Sequence, residues 1–578
     1  MSVSSCLLTK HRSTLRDLFL LTVLCGLTYG VGLTAHGLSN WHEAERALVA
    51  REMQARGDWI VPTINWQPYL AKPPMIYWCQ LAIASVRGAQ TNEFDLRLTV
   101  ALVGWLGVLI TYVVARRMIG VTAAWWSCLF LATGIRYVHS ARIGEIDILL
   151  VPFTVAAVGA LYLAWRTHIE QGRTNIGAII VASLATCGVM LAKGPPGLLV
   201  IAVAGYGGMA LAEAWRGQGR RSVWVVATVA GLSVVVLAIF LNRAWKPNSI
   251  IGLVFLAAML PPVAATVIRL AEPERALALL RAYARAQIVI VLGLPLIVFY
   301  AWGRLVQSRI GVQATMMAIK RETADNLRIL VADSPFGSVL AASYGTGLGS
   351  IACILAIVSL AHHRKITPAL WMLIAWVGGG IVAFSVLGKT MPRYLTPVWP
   401  GVAMLGGWWF ASMLSVARYP RRLAVTATIL VLLLAIGQLW WYGFGGERFY
   451  DEPSPRSFVQ EILALPDVDR SRLATFEFNT PTLDYYVGEQ VKSFDAGGPG
   501  RFADLKRELS TSDRSLILLV RERQPQSQKL DPRPAIDRLR NAGLEVNPIP
   551  LHSRFTIDKW NIPVMAVRVR PRSPGSDG

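Results

Sequence analysis

Long apolar runs, separated by short polar bridges, follow one another through the first 445 residues of the chain. About thirteen of them are long enough to cross roughly 30 Å of hydrocarbon as a helix. The runs lie near 16–36, 97–116, 120–139, 147–165, 175–192, 195–213, 222–242, 249–270, 286–305, 337–361, 367–387, 396–415 and 422–443. Lipid offers no partner for backbone polar groups, so each spanning run is expected to be helical. The pattern predicts an α-helical polytopic membrane protein with about 13 transmembrane helices.

The polar bridges alternate between basic and non-basic, which predicts the orientation of the chain. Bridges rich in Lys and Arg fall on the side of the N terminus, and such bridges are typically cytoplasmic. They are Arg116–Arg117, Arg166 with Arg173, Arg216 with Arg220–Arg221, 269–285, His362–Lys365 and Arg418–Arg422. An odd number of crossings then places the C-terminal region outside. We therefore predict a multi-pass protein of the bacterial inner membrane whose C-terminal region is periplasmic.

Two long segments, 37–96 and 306–336, fall on the predicted outer side. Within the first, 42–56 has apolar and charged positions at helical spacing, which favours a helix lying in the interface plane. These segments belong to a predicted membrane domain over 1–444. The remaining residues, 445–578, alternate helix-like and strand-like stretches, which predicts a small periplasmic α/β domain with a disordered tail.

Composition and charge narrow the functional class. The chain has 578 residues, of which 54% are hydrophobic and 16% charged, a charged fraction below that of soluble proteins. The formal charge of +22 comes mainly from the cytoplasmic bridges, so membrane orientation explains it and no nucleic-acid partner is predicted. The 6 cysteines are scattered, which argues against a disulfide framework or a thiolate metal site.

Charged residues at the outer helix ends are the candidates for chemistry. Four cations stand there, Lys72, Lys193, Lys389 and Arg393, and three acids lie in the outer loops, Glu43, Glu145 and Asp147. Sugar transfer from a phosphate carrier needs a group that accepts or orients the acceptor's proton and cations that hold the leaving phosphate. We predict Glu43 and Asp147 as catalytic residues, with Lys72, Lys193, Lys389, Arg393 and Tyr394 binding substrate. No metal ligand is assigned.

Each candidate also has a structural interpretation. The two predicted catalytic acids suit the first turns of helices, Lys193 suits a helix C-terminus, Lys72 suits the headgroup level, and interfacial tyrosines such as Tyr394 are common. Arg393 and Lys389 lie on the side where topology does not favour positive charge, which points to an anionic partner.

Several segments carry a family resemblance. The first outer segment contains "REMQARGDWIVPTINWQPYLAKPPMIYW", and "LAKGPPGLL", "ARIGEIDILL" and "FSVLGKTMPRYLTPVWP" follow at 191–199, 141–150 and 384–400. Together they resemble the bacterial aminoarabinose (lipid A) transferases and the protein mannosyltransferase-like branch of the GT-C glycosyltransferases. The sequence departs from the family at His42-Glu43, where the family has Asp-Glu, and at Ala71.

The resemblance implies a GT-C fold and an integral membrane glycosyltransferase. Such an enzyme moves a hexose or pentose from an undecaprenyl-phosphate-linked donor to a lipid, glycan or protein acceptor at the periplasmic face, as in lipid A modification. A divalent metal ion is left open as a cofactor, and no other is implied. Two alternatives remain: a transporter or flippase of lipid-linked saccharides, and an inactive scaffold.

Overall fold

The computed structural model describes most of the chain. Its described residues are 3–38, 41–214, 287–327, 345–360, 366–386, 391–445, 454–466, 468–478, 480–494, 501–510, 515–522, 534–557 and 562–571. The predicted runs 222–242 and 249–270 therefore lie outside them.

The first half of the membrane region contains ten helices among its described residues. They are α1 (Val3–Cys25), α2 (Trp41–Arg56), α3 (Met75–Arg87), α4 (Glu93–Ile119), α5 (Val121–Ala132), α6 (Ile135–Ser140), α7 (Leu150–Gln171), α8 (Ile176–Ala192), α9 (Pro195–Ile201) and α10 (Gly208–Ala214). A π-helical turn, Gly26–Gly30, follows α1, and another, Ala202–Gly207, joins α9 to α10. A two-stranded hairpin, β1 (Thr63–Ile64) and β2 (Gln67–Pro68), lies between α2 and α3.

The second half continues with α11 (Gln287–Ile310), α12 (Val312–Leu327), α13 (Leu348–Leu360), α14 (Pro368–Ile374), α15 (Gly380–Val386), α16 (Trp399–Val416) and α17 (Pro420–Gly443). The π-helical turn Ala375–Gly379 makes α14 and α15 one continuous helix. Short 3₁₀ helices, Ile146–Leu149 and Pro392–Val398, precede α7 and α16.

Helices of membrane-spanning character dominate the described part. Five are long and apolar enough to cross a bilayer: Glu93–Ile119, Ile146–Gln171, Pro195–Glu213, Ile290–Ile310 and Pro420–Gly443. Shorter apolar helices pack among them, at Val121–Ala132, Ile176–Ala192, Leu348–Leu360 and Pro368–Gly379. The predicted class of a polytopic helical membrane protein is confirmed, and the exact number of helices stays a prediction.

Local sequence explains where these helices begin and end. Asn92 caps α4, since its side chain accepts the N–H of Phe94 while Asp95 accepts the N–H of Asn92. The α3 helix ends at Gly88, which adopts a left-handed conformation. The run predicted near 120–139 is broken after α5, and α6 begins beyond Gly134.

The two predicted outer segments are helical over much of their described length. The segment 42–56 is helical, as its spacing predicts, and α2 is largely buried within the protein, while its position in the interface plane stays a prediction. It packs against α3, α4, the hairpin and the helix Pro481–Val487, because its charged side chains find partners inside the protein. The described part of 306–336 is helical, comprising the end of α11 and all of α12.

The C-terminal residues form a six-stranded mixed sheet. Its strands are β3 (Leu473–Phe476), β4 (Lys492–Phe494), β5 (Leu516–Arg521), β6 (Leu544–Pro548), β7 (Phe555–Ile557) and β8 (Ile562–Pro571). The order is β4-β3-β5-β8-β6, with β7 also paired to β8. The pairs β3–β4 and β3–β5 are parallel, whereas β5, β6 and β7 pair antiparallel to β8.

Both faces of this sheet are covered. Every residue of β5 is buried, which is typical of a strand with helices on each side. Leu518 packs with Leu505 and Leu539 on one face. Leu519, the next residue, packs with Phe458 and Leu483 on the other. The helices behind these contacts are α18 (Arg456–Leu463), α19 (Pro481–Val487), α20 (Arg501–Ser510) and α21 (Ala535–Asn541).

Direct contacts join the sheet region to the first outer segment. Arg51 of α2 donates a 2.7 Å hydrogen bond to the carbonyl of Tyr485, and its guanidinium lies 3.9 Å from that ring's centre. Glu93 forms an ion pair with Arg456 and accepts a 2.6 Å hydrogen bond from the Tyr486 hydroxyl. The C-terminal region therefore sits over α2 and the start of α4.

Candidate functional site

Three chain segments that carry predicted site residues meet in the structure. The 3₁₀ helix Ile146–Leu149 contacts both the 3₁₀ helix Pro392–Val398 and α8. Lys193 directly follows the last residue of α8, and Gly194 turns the chain with a φ of 87° before the prolines that open α9. Local helix ends and prolines therefore deliver polar residues from distant parts of the sequence to one place.

Asp147 and Lys193 form the centre of this cluster. The Lys193 ammonium pairs with the Asp147 carboxylate, and both side chains are almost fully buried. The same ammonium lies 4.6 Å from the ring centre of Tyr394, and the Arg393 guanidinium lies 5.6 Å from that ring. Four of the seven predicted site residues are thus brought together.

Positive charge exceeds negative charge around Lys193. Burial lowers the pKa of Lys193 below its ordinary value, and the nearby cations Arg393 and Arg46 lower it further against the opposing effect of Asp147. A second anion beside this ammonium would relieve that crowding. The arrangement suits a phosphate group, which prefers several cationic donors.

Glu145 adds a second carboxylate that the sequence analysis did not choose as a site residue. It accepts a 2.6 Å hydrogen bond from the Ser140 hydroxyl and lies 3.5 Å from the Arg136 guanidinium. Burial alone raises the pKa of Glu145, but His139, Arg136, the Ser140 hydrogen bond and Arg393 together lower it below its ordinary value. The sequence signal that could have marked Glu145 as a site residue is its position two residues before Asp147.

Glu43 is not part of the Asp147–Lys193 cluster and forms a buried ion pair with Arg97. Its carboxylate accepts a 2.7 Å hydrogen bond from Arg97, and both side chains are 1% exposed. Arg97 also donates to the carbonyls of Leu33, His36 and Gly37. Removing one partner of such a pair typically costs about 3–5 kcal/mol.

Glu43 and Arg46 connect α2 to the loop that carries the acidic residues. The Gly144 N–H donates to Glu43 at 3.3 Å, and Arg46 donates to the Gly144 carbonyl at 2.5 Å. Glu43 therefore holds the loop before Glu145 and Asp147 in place. Arg46 and Arg97 were not predicted, because a single basic residue in an outer helix has no distinguishing pattern.

The two remaining predicted cations are Lys72 and Lys389. Lys72 lies in the loop after the hairpin, and its neighbour Leu70 packs in a small apolar cluster with Trp302 and with Leu191, near the end of α8. Lys389 lies outside the described residues. Their roles in binding substrate stay predictions.

The acidic residues do not form a divalent-metal site in the described part of the chain. No group of three or more His, Cys, Asp or Glu side chains comes together there. Glu43, Asp147 and Glu145 are each engaged by a protein cation.

Sequence comparison finds relatives for the part of the chain that carries the cluster. Residues 43–248 match the family described as dolichyl-phosphate-mannose-protein mannosyltransferase. An uncharacterised protein of Aquifex aeolicus is 32% identical over 186 residues, which are 32% of this chain and 35% of that protein. The undecaprenyl phosphate-α-4-amino-4-deoxy-L-arabinose arabinosyl transferase 2 of Pseudomonas fluorescens is 38% identical over 99 residues, 17% of each chain. The matches thus span about a third or less of these relatives.

Comparison with solved structures extends the likeness to almost the whole fold. ArnT from Cupriavidus metallidurans, bound to undecaprenyl phosphate, superimposes with a TM-score of 0.58 at 17% identity, covering 98% of both chains. The archaeal oligosaccharyltransferase AglB from Archaeoglobus fulgidus gives a TM-score of 0.51 at 13% identity, over 84% of this chain and 65% of that one. The resemblance to the GT-C glycosyltransferases is confirmed: residues 43–248 are related in sequence to the protein mannosyltransferase family, and the chain shares its fold with aminoarabinose transferase.

Proposed function

We propose that this chain is an integral membrane glycosyltransferase that moves a sugar from a polyprenyl-phosphate donor to a lipid, glycan or protein acceptor. One observation carries the proposal: the cluster of buried Asp147 with partly buried Lys193, Arg393 and Tyr394 has an excess of cations at the ends of apolar helices. A phosphate carried by a lipid is the anion expected at the ends of membrane helices. The ArnT structure with a similar fold contains undecaprenyl phosphate.

In this proposal Lys193 and Arg393 hold the donor's phosphate, and Lys72 and Lys389 approach it from neighbouring loops. The acceptor's hydroxyl oxygen attacks the anomeric carbon of the sugar. The bond from that carbon to the phosphate oxygen breaks, and its electron pair leaves with the polyprenyl phosphate. Cations placed where this charge develops lower the barrier.

The proton of the acceptor hydroxyl passes to a carboxylate, for which we propose Asp147. The arriving phosphate competes with Asp147 for the Lys193 ammonium and so frees the carboxylate to accept the proton. Glu145, beside Arg136, is a second carboxylate within the influence of Arg393. Glu43 stays a candidate for orienting the acceptor, but its pairing with Arg97 favours a positioning role.

We further propose that the chain lies in the bacterial inner membrane with about thirteen crossings, and that the cluster and the C-terminal α/β region face the periplasm. The charge bias of the bridges supports this orientation. Contacts of Arg456 and Tyr486 with Glu93 put the C-terminal region on the same side as the first outer segment. A requirement for a divalent metal ion stays an open part of the proposal.

The test compares variants in a strain that lacks the chromosomal copy. Lys193→Ala, Arg393→Ala and Asp147→Asn should each lower transfer of sugar from polyprenyl-phosphate donor by about 10²-fold or more, as expected for loss of charge stabilisation or of a proton acceptor. Mass spectrometry of envelope lipids and glycans, with and without the gene, identifies the sugar and acceptor.

A matched control is Lys492→Ala, which removes an exposed lysine of the C-terminal sheet. It should leave transfer unchanged. Full transfer by Lys193→Ala, with expression equal to that of the unaltered chain, contradicts the proposed role of the cluster. Translocation of a lipid-linked saccharide in reconstituted vesicles, without any glycosidic product, would favour the transporter instead.

A further inference from the structure

A cavity separate from the Asp147–Lys193 cluster lies between the first outer segment and the C-terminal region. Its volume is about 670 Å³, within the range of small-molecule sites. The walls come from α2, the hairpin turn, the end of α3 and the loop that follows α19. Residues separated by more than 400 positions thus form one concavity.

An aromatic side chain is displayed at this cavity by a strained turn. Asn65 and Trp66 have φ values of 51° and 62°, a left-handed conformation that is rare for tryptophan. The two-residue loop between paired Ile64 and Gln67 needs positive φ at both positions to follow the strand twist. Glycine or asparagine would ordinarily fill such a position, yet here it carries an indole that is 60% exposed.

Buried carboxylates hold this turn in place. Glu52 of α2 accepts hydrogen bonds from the Trp66 N–H at 3.0 Å and from the Thr63 hydroxyl at 2.7 Å. The Asn65 amide donates to Asp484 of α19 at 3.2 Å. The strain at Trp66 is therefore compensated from both sides of the cavity, and strained residues kept in this way often serve a binding function.

The polar groups around the indole indicate the class of ligand. Gln90, Glu489 and Gln490 are exposed at the rim and offer planar donors and acceptors. Within the described lining, two glutamates face a single cation, Arg51, whose guanidinium lies against Tyr485. This balance disfavours a phosphate or an anionic headgroup and suits a neutral molecule rich in hydroxyl groups.

We infer that this cavity binds a saccharide, whose C–H face stacks on Trp66 while its hydroxyls bond to the rim amides and carboxylates. The electron-rich face of indole attracts the polarised C–H bonds of a sugar ring. The inference rests on the proposed function in one respect, because it assigns the saccharide to the acceptor. The acceptor is then a glycan or a glycolipid.

The position of the cavity fits an acceptor subsite. Arg46 of α2 bonds to the loop before Asp147, and Glu52 lies six residues further along the same helix. At 1.5 Å per residue the two positions are about 9 Å apart along the helix axis. The cavity and the loop before Asp147 are therefore both held by α2, and the lining of the cavity contains none of the residues proposed to bind the donor's phosphate.

The experiment measures binding separately from transfer. Saturation-transfer NMR on the full chain in detergent would use two neutral oligosaccharides, chitobiose and maltotriose, as probes. We expect at least one to bind, and Trp66→Ala to weaken that binding by about tenfold or more, as for a central aromatic anchor. Trp66→Phe keeps a ring and should retain most of the affinity.

Trp59→Ala is the matched control. Trp59 is 43% exposed in the same segment and lies outside the described lining, and its contact with Trp78 uses only the backbone carbonyl. This variant should bind like the unaltered chain. Should Trp66→Ala fail to fold, Gln490→Ala at the exposed rim provides the second test and should also weaken binding.

Three outcomes overturn the inference. They are no binding of either probe, equal binding by Trp66→Ala, and a Trp66→Ala variant that loses only its association with anionic lipid vesicles, which would make Trp66 a headgroup anchor. Saccharide binding without sugar transfer would refute the proposed function and leave the cavity assigned. Sugar transfer without saccharide binding would overturn the assignment of this cavity and leave the proposed function standing.

Discussion

At the scale of single residues, several buried charges in the described part of this apolar chain form ion pairs. Arg97 with Glu43 and Arg538 with Glu477 are almost fully buried and closely hydrogen-bonded. An unpaired charge at such positions is costly, so these pairs are explained by structure. Lys193 differs because it has one carboxylate partner and further cations nearby. That imbalance separates a candidate anion site from a structural ion pair.

Asp484 leads to a prediction about pH. Burial raises the pKa of Asp484 from 3.8 to about 6, with Glu52 adding to the rise and the bonds from Val491 and Asn65 opposing it. The folded state then binds more protons than the unfolded state between these values, so Asp484 destabilises the fold as pH rises through about 6.

Asp484→Asn removes this titration. Relative to the unaltered chain, the variant should therefore gain stability between pH 4 and pH 8, by at most roughly 3 kcal/mol. Thermal unfolding of the purified chain at several pH values measures the difference. A constant difference between the two proteins across this range would contradict the prediction. Glu545→Gln, which changes an exposed carboxylate of β6, serves as the control.

At the scale of elements, small residues allow the helices to approach closely. Gly407 of α16 faces α5, where a side-chain carbon would lie 2.5 Å from the Ser127 nitrogen and 2.6 Å from the Ala123 carbonyl oxygen. Both contacts are with backbone, which cannot rotate away. Small residues at helix interfaces are the usual means of close packing in membranes.

Gly407→Ala should therefore destabilise the protein by about 1–3 kcal/mol or more, because α5 and α16 must separate. Gly437→Ala is the matched control, since Gly437 lies in α17 with no atom within 4 Å of the added carbon. That change should be neutral or stabilising, as alanine favours helix over glycine. Melting temperatures in detergent distinguish the two, and equal effects would refute the packing argument.

At the scale of the whole molecule, the C-terminal sheet and the first outer segment form one unit. Arg51, Asn65 and Glu93 each contact the region between Arg456 and Tyr486. The acidic loop, the hairpin and the sheet must consequently lie on the same side of the membrane. The charge bias of the bridges predicts that this side is the periplasm.

Fusion of alkaline phosphatase to the C terminus tests this orientation. The enzyme is active only outside the cytoplasm, so the full-length fusion should be active. A fusion truncated after Tyr419, in the basic bridge before α17, should be inactive, because this bridge is predicted to be cytoplasmic. The reverse pattern, with both fusions expressed, would contradict the predicted topology.

Sequence alone determined the class of this protein, because the bilayer acts on local properties. A run of about twenty apolar residues favours a membrane helix largely through its own composition, and caps such as Asn92 and breaks such as Gly194-Pro195 act over a few residues. The family resemblance likewise rested on contiguous motifs. Eleven of the thirteen predicted runs overlap described helices, and the other two lie outside the described residues.

Only the tertiary structure decided which charges act together. Asp147 and Lys193 are 46 positions apart, Glu43 and Arg97 are 54 apart, and Asn65 and Asp484 are 419 apart. No local pattern encodes these pairings, since they depend on how the helices pack. For the same reason, the sequence predicted a helix at 42–56 but not its burial against the C-terminal region.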